Sequence, residues 1–480
     1  MRWDWLGSLG LLVYVTALVA LSLRILLKRR PLGSTLAWLL LVYTLPILGI
    51  FCYLLLGEHY LGRMRAERAK RQYQFYSLWL QRILSTQRAL LPPQQSLGPV
   101  MELTRSSIGM PALSCSQWAL FDAADGLFES LKVDIDQAQT VIFLEFYILD
   151  DQGQVVNILA ALAAASQRGV QVHLMLDSVG SHRFLRSQRC QRLIRAGVQV
   201  LEVLYANVLR MSLRRQDLRQ HRKLIAIDNR IAYTGSMNLA DPAFFNAHMG
   251  VGSWVDIMVK IQGDIAKLVQ GTLVFDWEME TGVRLADSLA NPTFAERHAN
   301  LMQLLPSGPA LDEEILLQVL LTAIHNARQR IVLTTPYFVP DESLLQALKS
   351  AGKRGLDVTI IVPRKNNSKL AQYAGRSFYQ ELLLAGVVIR RFTDGLLHTK
   401  TVIVDDHLVL IGSVNLDMRS IWLNFEATLV VDDVAFCEQV RAITDGYCRR
   451  SEQLLLSDWH QRPVYQRVAE SLAQLASPLL

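Results

Sequence analysis

The chain has 480 residues, long enough for two or three domains around a sizeable buried core, which excludes disorder as the default reading. Hydrophobic residues make up 51% of it and the mean hydropathy is +0.21, high for a purely soluble protein. A net charge of +6 is too dilute to point to nucleic acid, and the five cysteines form neither a C-x-x-C pair nor a Cys/His metal spacing, so no zinc site and no disulfide framework is expected.

The apolar excess sits at the N-terminus. From Trp5 to Leu23 no residue is charged, and the run closes on Arg24, Lys28, Arg29 and Arg30. A second uncharged stretch runs from Pro31 to Gly57, enough for the roughly 20 residues a bilayer requires even with a kink at Pro46. Residues 1–57 are therefore expected to form a hairpin of two transmembrane helices. "RWDW" is a poor basic start for a signal peptide and no A-x-A site follows, so the first span is expected to be retained. Arg63, Arg65, Arg68, Lys70 and Arg71 outnumber the charges of the short connection, from which the bulk of the chain is expected on the cytoplasmic side. Residues 58–110 are expected as a basic juxtamembrane linker, whose stretch Arg63 to Arg82 reads either as lying against anionic headgroups or as a solvated charged helix.

The rest of the chain is organised by a repeat. "TVIFLEFYILDD" (Thr140 to Asp151) matches "RIVLTTPYFVPD" (Arg330 to Asp341), each an apolar strand ending in an acidic turn. A helix-period stretch follows each and stops at Gly169 or Gly355 before another apolar strand. The pattern predicts duplicated β-α-β units, one half over 111–285 and the other over 286–480.

Each half then carries the same constellation. Measured from His221, Lys223 lies at +2, Asp228 at +7, Gly235 at +14 and Asn238 at +17; from His398, Lys400, Asp405, Gly412 and Asn415 stand at the same offsets. On a strand, residues two apart share a face, so each histidine is presented with its lysine. Ser236 and Ser413 follow the glycines, which allow close backbone approach before Asn238 and Asn415. Pseudo-twofold packing of the halves would gather two imidazoles, two lysines and two asparagines around one small anion. That set suits phosphoryl transfer with no metal and no cofactor: one imidazole attacks phosphorus, the other protonates the leaving oxygen from the opposite side, and the lysines, asparagines and serines hold the phosphate.

The doubled H-x-K-x4-D-x6-G-S-x-N pattern resembles the phospholipase D superfamily over roughly residues 110 to 460. The resemblance implies an α/β fold of two β-α-β sandwich halves and a covalent phosphohistidine formed on the N-terminal motif's histidine, here His221, with His398 as acid and then base. It implies that Asp228 and Asp405 complete the catalytic motif chiefly as structural residues. It also implies that a downstream carboxylate orients each imidazole, for which Glu426 in "NFE" and, more loosely, Asp256 in "SWVD" are the matching positions.

The surroundings choose among members of the superfamily. "YLLLGEHYLGR" after the spans, "TPYFVPD" at Thr335 to Asp341, "SGP" at Ser307 to Pro309 and W-x-D-x-x-V-x-I-x-G at Trp254 to Gly263 are similar to bacterial cardiolipin synthases. That resemblance implies a multi-pass protein of the bacterial cytoplasmic membrane. It would transfer a phosphatidyl group between two phosphatidylglycerol molecules, giving cardiolipin and glycerol, with anionic lipid rather than nucleic acid as partner. A membrane-bound phospholipase D or other phosphodiesterase that hydrolyses the intermediate is the alternative. The additional segment "YANVLRMSLRRQDLR" before His221 reads either as a lipid-docking insert, carried by Arg210, Arg214, Arg215 and Arg219, or as a solvated loop.

Overall fold

The structure is a computed structural model describing residues 4–28, 32–57, 63–90, 98–205, 217–285, 300–309, 311 and 314–477. Arg210, Arg214 and Arg215 of the expected insert lie outside the described residues.

The N-terminal unit opens with helix α1 (Asp4–Leu27), whose stretch Ser8–Leu27 has a mean hydropathy of 2.2 over 20 residues and is long and apolar enough to cross a membrane. The second apolar stretch differs from the single kinked span expected. It forms α2 (Leu32–Thr44) and α3 (Pro46–Leu56), parted at Leu45, whose backbone leaves the helical region at φ −126° and ψ 73°. Proline bars the preceding residue from helical geometry, and this is the cause of the break. Among the described residues, α1 is the one helix long and apolar enough to span by itself. Ile25, Val42 and Tyr53 nevertheless form a shared core for the three helices, Trp38 meets Tyr53 edge-on at 5.3 Å between ring centroids, and Ser22 Oγ donates to Tyr43 Oη at 3.1 Å.

Of the segment expected as a basic linker, residues 64–90 and 98–110 belong to the unit that carries the repeat. The helix Arg63–Leu90 buries Tyr76, Trp79, Leu80 and Ile83, and Tyr76 Oη bonds Thr272 Oγ1 at 3.2 Å on the helix Ile265–Thr281. A Cβ at Gly271 would meet the Trp79 ring at 2.5 Å, so only glycine lets the two helices close this far. Arg65 pairs with Glu280 at 2.7 Å and Arg68 donates to the Glu280 carbonyl at 2.6 Å, so these two cations hold protein.

Among the described residues, two sheets carry the repeat. The first has seven strands in the order 117–121, 258–262, 231–235, 223–227, 141–146, 171–177, 199–203; the second has nine, of which six, 426–432, 408–412, 401–404, 330–334, 357–363 and 388–392, repeat the last six in the same order. In each the three strands of the β-α-β units run parallel and the motif strands join antiparallel. The helix Ile265–Thr281 is buried along nearly its whole length because it packs against strands of both sheets, Lys223–Ile227 in one and Leu301–Ser307 in the other.

The motif aspartates end the motif strands rather than meeting the histidines. Asp228 and Asp405, both in left-handed geometry at φ 53°, sit in the hairpin turns, about 16 Å along the strand from the lysines at about 3.3 Å per residue. Asp228 accepts from the backbone N–H of Gln139, Thr140 and Val141 at 2.8 to 2.9 Å, and Asp405 from those of Arg328, Gln329 and Arg330 at 2.8 to 3.2 Å. Each pins the entry of the neighbouring core strand. Within the motif they stand as structural braces, at the end of the strand away from the histidines. Asp228→Ala is expected to cost about 2–4 kcal/mol in stability, as charge-assisted bonds of about 1.5–3 kcal/mol each are partly replaced by water. The check is denaturant unfolding alongside activity at low temperature, where the per-molecule rate should fall far less than for a histidine variant.

Candidate active site

Each histidine is placed by a short inter-half pairing. Leu396–Leu397 lies parallel to Trp254–Val255, so the His398 N–H donates to the Val255 carbonyl at 2.8 Å. On the other side the His221 N–H donates to the Phe425 carbonyl and the Phe425 N–H to that of Arg219, both at 2.9 Å. These pairings bring each histidine beside the carboxylate of the opposite half. His221 Nδ1 lies 2.9 Å from both Glu426 oxygens, and His398 Nδ1 lies 2.7 Å from Asp256 Oδ1. With Nδ1 engaged on a carboxylate, Nε2 of each ring is left for the cavity.

The middle residues of the H-x-K triplets tie the same segments. Arg222, fully buried, donates through Nε to the Glu426 carbonyl at 2.9 Å and through Nη2 to that of Ser307 at 3.0 Å, its charge met by Asp276. Thr399 donates to the Val255 carbonyl at 3.1 Å. Both hold the chain at or beside an orienting carboxylate.

His221, His398, Asn238 and Asn415 line one cavity of about 520 Å³, with Tyr147, Trp254, Tyr337, Arg219 and Arg419 among its walls. Trp254 packs on the His398 ring at 4.4 Å and Tyr147 on that of His221 at 5.1 Å. Lys223 and Lys400 are buried beneath, each with Nζ 2.6 Å from the carbonyl oxygen of its own motif histidine.

Ser236 and Ser413 do not reach the cavity as phosphate ligands. Ser236 Oγ donates to Asp256 at 2.6 Å and Ser413 Oγ to Glu426, both hydroxyls buried behind the carboxylates, so the expected phosphate contact is corrected to a carboxylate-fixing one. Arg222, Thr399, Tyr147 and Arg419 carried no site role in the sequence reading, and Trp254 entered it only as part of the W-x-D run. The sole signal was the occupancy of the x position in H-x-K by side chains able to donate hydrogen bonds.

Burial dominates the protonation states. It lowers His221 to about 4 and His398 to about 3, although Glu426 and Asp256 favour their charged forms. Burial opposes ionisation of the two carboxylates as well, but the histidines and lysines bring both below their ordinary range. At neutral pH these shifts set two neutral imidazoles against two carboxylates. Burial also draws Lys223 down to about 8 and Lys400 to about 7. Protonated lysine is the form that attracts an anion and is lost as pH rises through those values. Hence kcat/KM for an anionic phosphodiester is expected to fall as pH rises above about 7 to 8. The limb in kcat should lie higher, because a bound anion raises the lysine pKa values. Separate pH profiles of the two constants check this, and a kcat/KM that stays flat to pH 9 would contradict it.

The sequence matches the family described as "Cardiolipin synthase, PLD-like domain" at residues 131–268 and 320–447, and that described as "Phospholipase_D-nuclease N-terminal" at residues 11–58. Cardiolipin synthase A of Edwardsiella ictaluri (strain 93-146) is 44% identical over 482 residues, covering 99% of this chain and 98% of the relative. That of Serratia proteamaculans (strain 568) is 43% identical over 481 residues, with the same two coverages. Among solved structures, the phosphatidylserine synthase of Haemophilus influenzae Rd KW20 superposes with a TM-score of 0.59 at 16% identity, over 80% of this chain and 100% of that one, a likeness of fold.

Proposed function

The chain belongs to the cardiolipin synthase family with phospholipase D-like domains, and from this we propose that it joins two phosphatidylglycerol molecules into cardiolipin and glycerol through a phosphatidyl-histidine. The observation that carries the mechanism is the crossed arrangement of two histidines, each held at Nδ1 by a carboxylate of the other half, in one cavity.

Neutral His221 attacks the donor's phosphorus through Nε2, and Glu426 stabilises the imidazolium as it forms. Docking of the phosphodiester anion raises the affinity of His398 Nε2 for a proton, which it gives to the departing glycerol oxygen. The terminal hydroxyl of a second phosphatidylglycerol then takes the glycerol's place, returns its proton to His398 and attacks phosphorus, freeing His221. One phosphodiester is exchanged for another, so no energy source is consumed. Lys223, Lys400, Asn238 and Asn415 supply the positive and donor groups around the phosphate.

The apolar α1 associates the protein with a membrane. We place the α1–α3 hairpin across the bacterial cytoplasmic membrane as a multi-pass anchor with the catalytic unit on the cytoplasmic side, a reading supported by the run of basic residues from Arg63 to Arg71. Purified protein in mixed micelles with labelled phosphatidylglycerol should release one glycerol for each cardiolipin formed. Phosphatidic acid as the main product would instead mark a hydrolase.

A further inference from the structure

Equivalent turns of the two halves both reach the cavity, with unlike chemistry. After the strand Gln171–Asp177 the turn reads "SVGSH", contributes Val179 to the cavity wall, and leads into a helix of only four residues, His182–Leu185. After the equivalent strand Asp357–Pro363 it reads "RKNNSK" and contributes Asn367 and Ser368, followed by Ala371 from the nine-residue helix Lys369–Ser377. Ser368 caps that helix, accepting from the Ala371 N–H at 3.3 Å. Tyr337 donates its hydroxyl to Asn367 Oδ1 at 2.7 Å, which leaves the Asn367 amide hydrogens and the lone pairs of the Tyr337 oxygen for a ligand. Lys365 and Lys369, both exposed, bracket the turn.

A separate observation shows that this cavity has unmet polar capacity. Asn415 and Asn424 line it, are 5% and 6% exposed, and each has a side-chain oxygen without a hydrogen-bond partner. Buried amide oxygens are costly unless something donates to them, and a polyol headgroup bears hydroxyls that would.

We infer that the 364–369 turn and the first turn of the helix after it form the subsite for the phosphodiester of the second, acceptor lipid. The inference rests on the proposed phosphatidyl transfer and names where its second substrate is read. In-line chemistry puts the acceptor hydroxyl opposite His221, on the side of His398. The polar turn belongs to that side: the strand Asp357–Pro363 lies in the same sheet as the strand Thr401–Val404 that follows His398, with only Arg330–Thr334 between them. An acceptor phosphatidylglycerol carries its own phosphate three carbons from the attacking hydroxyl, and two lysines, an amide and helix N–H groups suit that anion. Water and free glycerol lack it. The turn therefore favours a lipid acceptor over water, whereas the equivalent turn of the first half, with Val179, has no such set.

The test compares two reactions of the full-length protein in phosphatidylglycerol micelles: cardiolipin formation, and exchange of labelled glycerol into phosphatidylglycerol, which uses the same phosphatidyl-histidine with an acceptor lacking a phosphate. Asn367→Asp and Lys369→Glu are each expected to lower the ratio of cardiolipin formation to glycerol exchange about tenfold, by setting a negative charge against the acceptor. Lys369 is exposed, so its substitution keeps the test valid should Asn367→Asp fold poorly. A ratio equal to that of the unaltered protein in the Lys369→Glu variant would overturn the subsite. Unaltered protein that exchanges glycerol but makes no cardiolipin would overturn the transfer reading, and this subsite with it.

Discussion

Replacing His221 with alanine is expected to lower phosphatidyl transfer by about 10⁴-fold or more, the scale seen when a covalent nucleophile is removed. His398→Ala is expected to cost about 10²–10⁴-fold, the usual contribution of a general acid–base. The two losses differ in kind. With a nitrophenyl phosphodiester, whose leaving group needs no proton, His398→Ala should regain its first step and show a burst of nitrophenol equal to the enzyme present, because the intermediate forms but resolves slowly. His221→Ala should show no burst. Equal behaviour of the two variants with this substrate would show that the roles are not divided as the crossed geometry suggests. Neither loss should carry a large change in stability, since both rings border the cavity rather than filling the core.

Glu426→Gln and Asp256→Asn are expected to lower kcat by about 10²–10⁴-fold with KM little moved, because the amide keeps the shape but removes the charge that fixes the imidazole tautomer and supports imidazolium. Glu426, from the second half, acts through His221, so Glu426→Gln should lose the nitrophenol burst as His221→Ala does. Asp256, from the first half, acts through His398, so Asp256→Asn should keep the burst. These are positioning residues, and the burst separates that role from general loosening of the fold. The doubly altered Glu426→Gln, His221→Ala protein should be no worse than His221→Ala alone, since the two side chains serve one step.

The duplicated core was legible because two strands with the same offsets on two β-α-β units leave few alternatives: His221 and His398 line one cavity, with Lys223 and Lys400 buried beneath it. What the local pattern could not reveal was the exchange of carboxylates. Glu426 and Asp256 each follow the motif of their own half, and only the pairings of Phe425 with His221 and of Val255 with His398 send them across. Ser236 and Ser413 occupy turns that could have opened either way, and burial behind the carboxylates decided it. The basic charges after residue 63 masked a packed helix, although Tyr76, Trp79, Leu80 and Ile83 have the spacing of a buried face. Pro46, noted as a kink, instead separates two helices because it restricts Leu45.

The most direct test of the account is to locate the covalent lipid. His398→Ala protein mixed with the nitrophenyl phosphatidyl substrate, quenched at the end of the burst, digested and read by mass spectrometry should carry one phosphatidyl group on Nε2 of His221, acid-labile and absent from Glu426→Gln protein treated alike. A phosphatidyl group on any other residue, or turnover with no adduct at all, would contradict it.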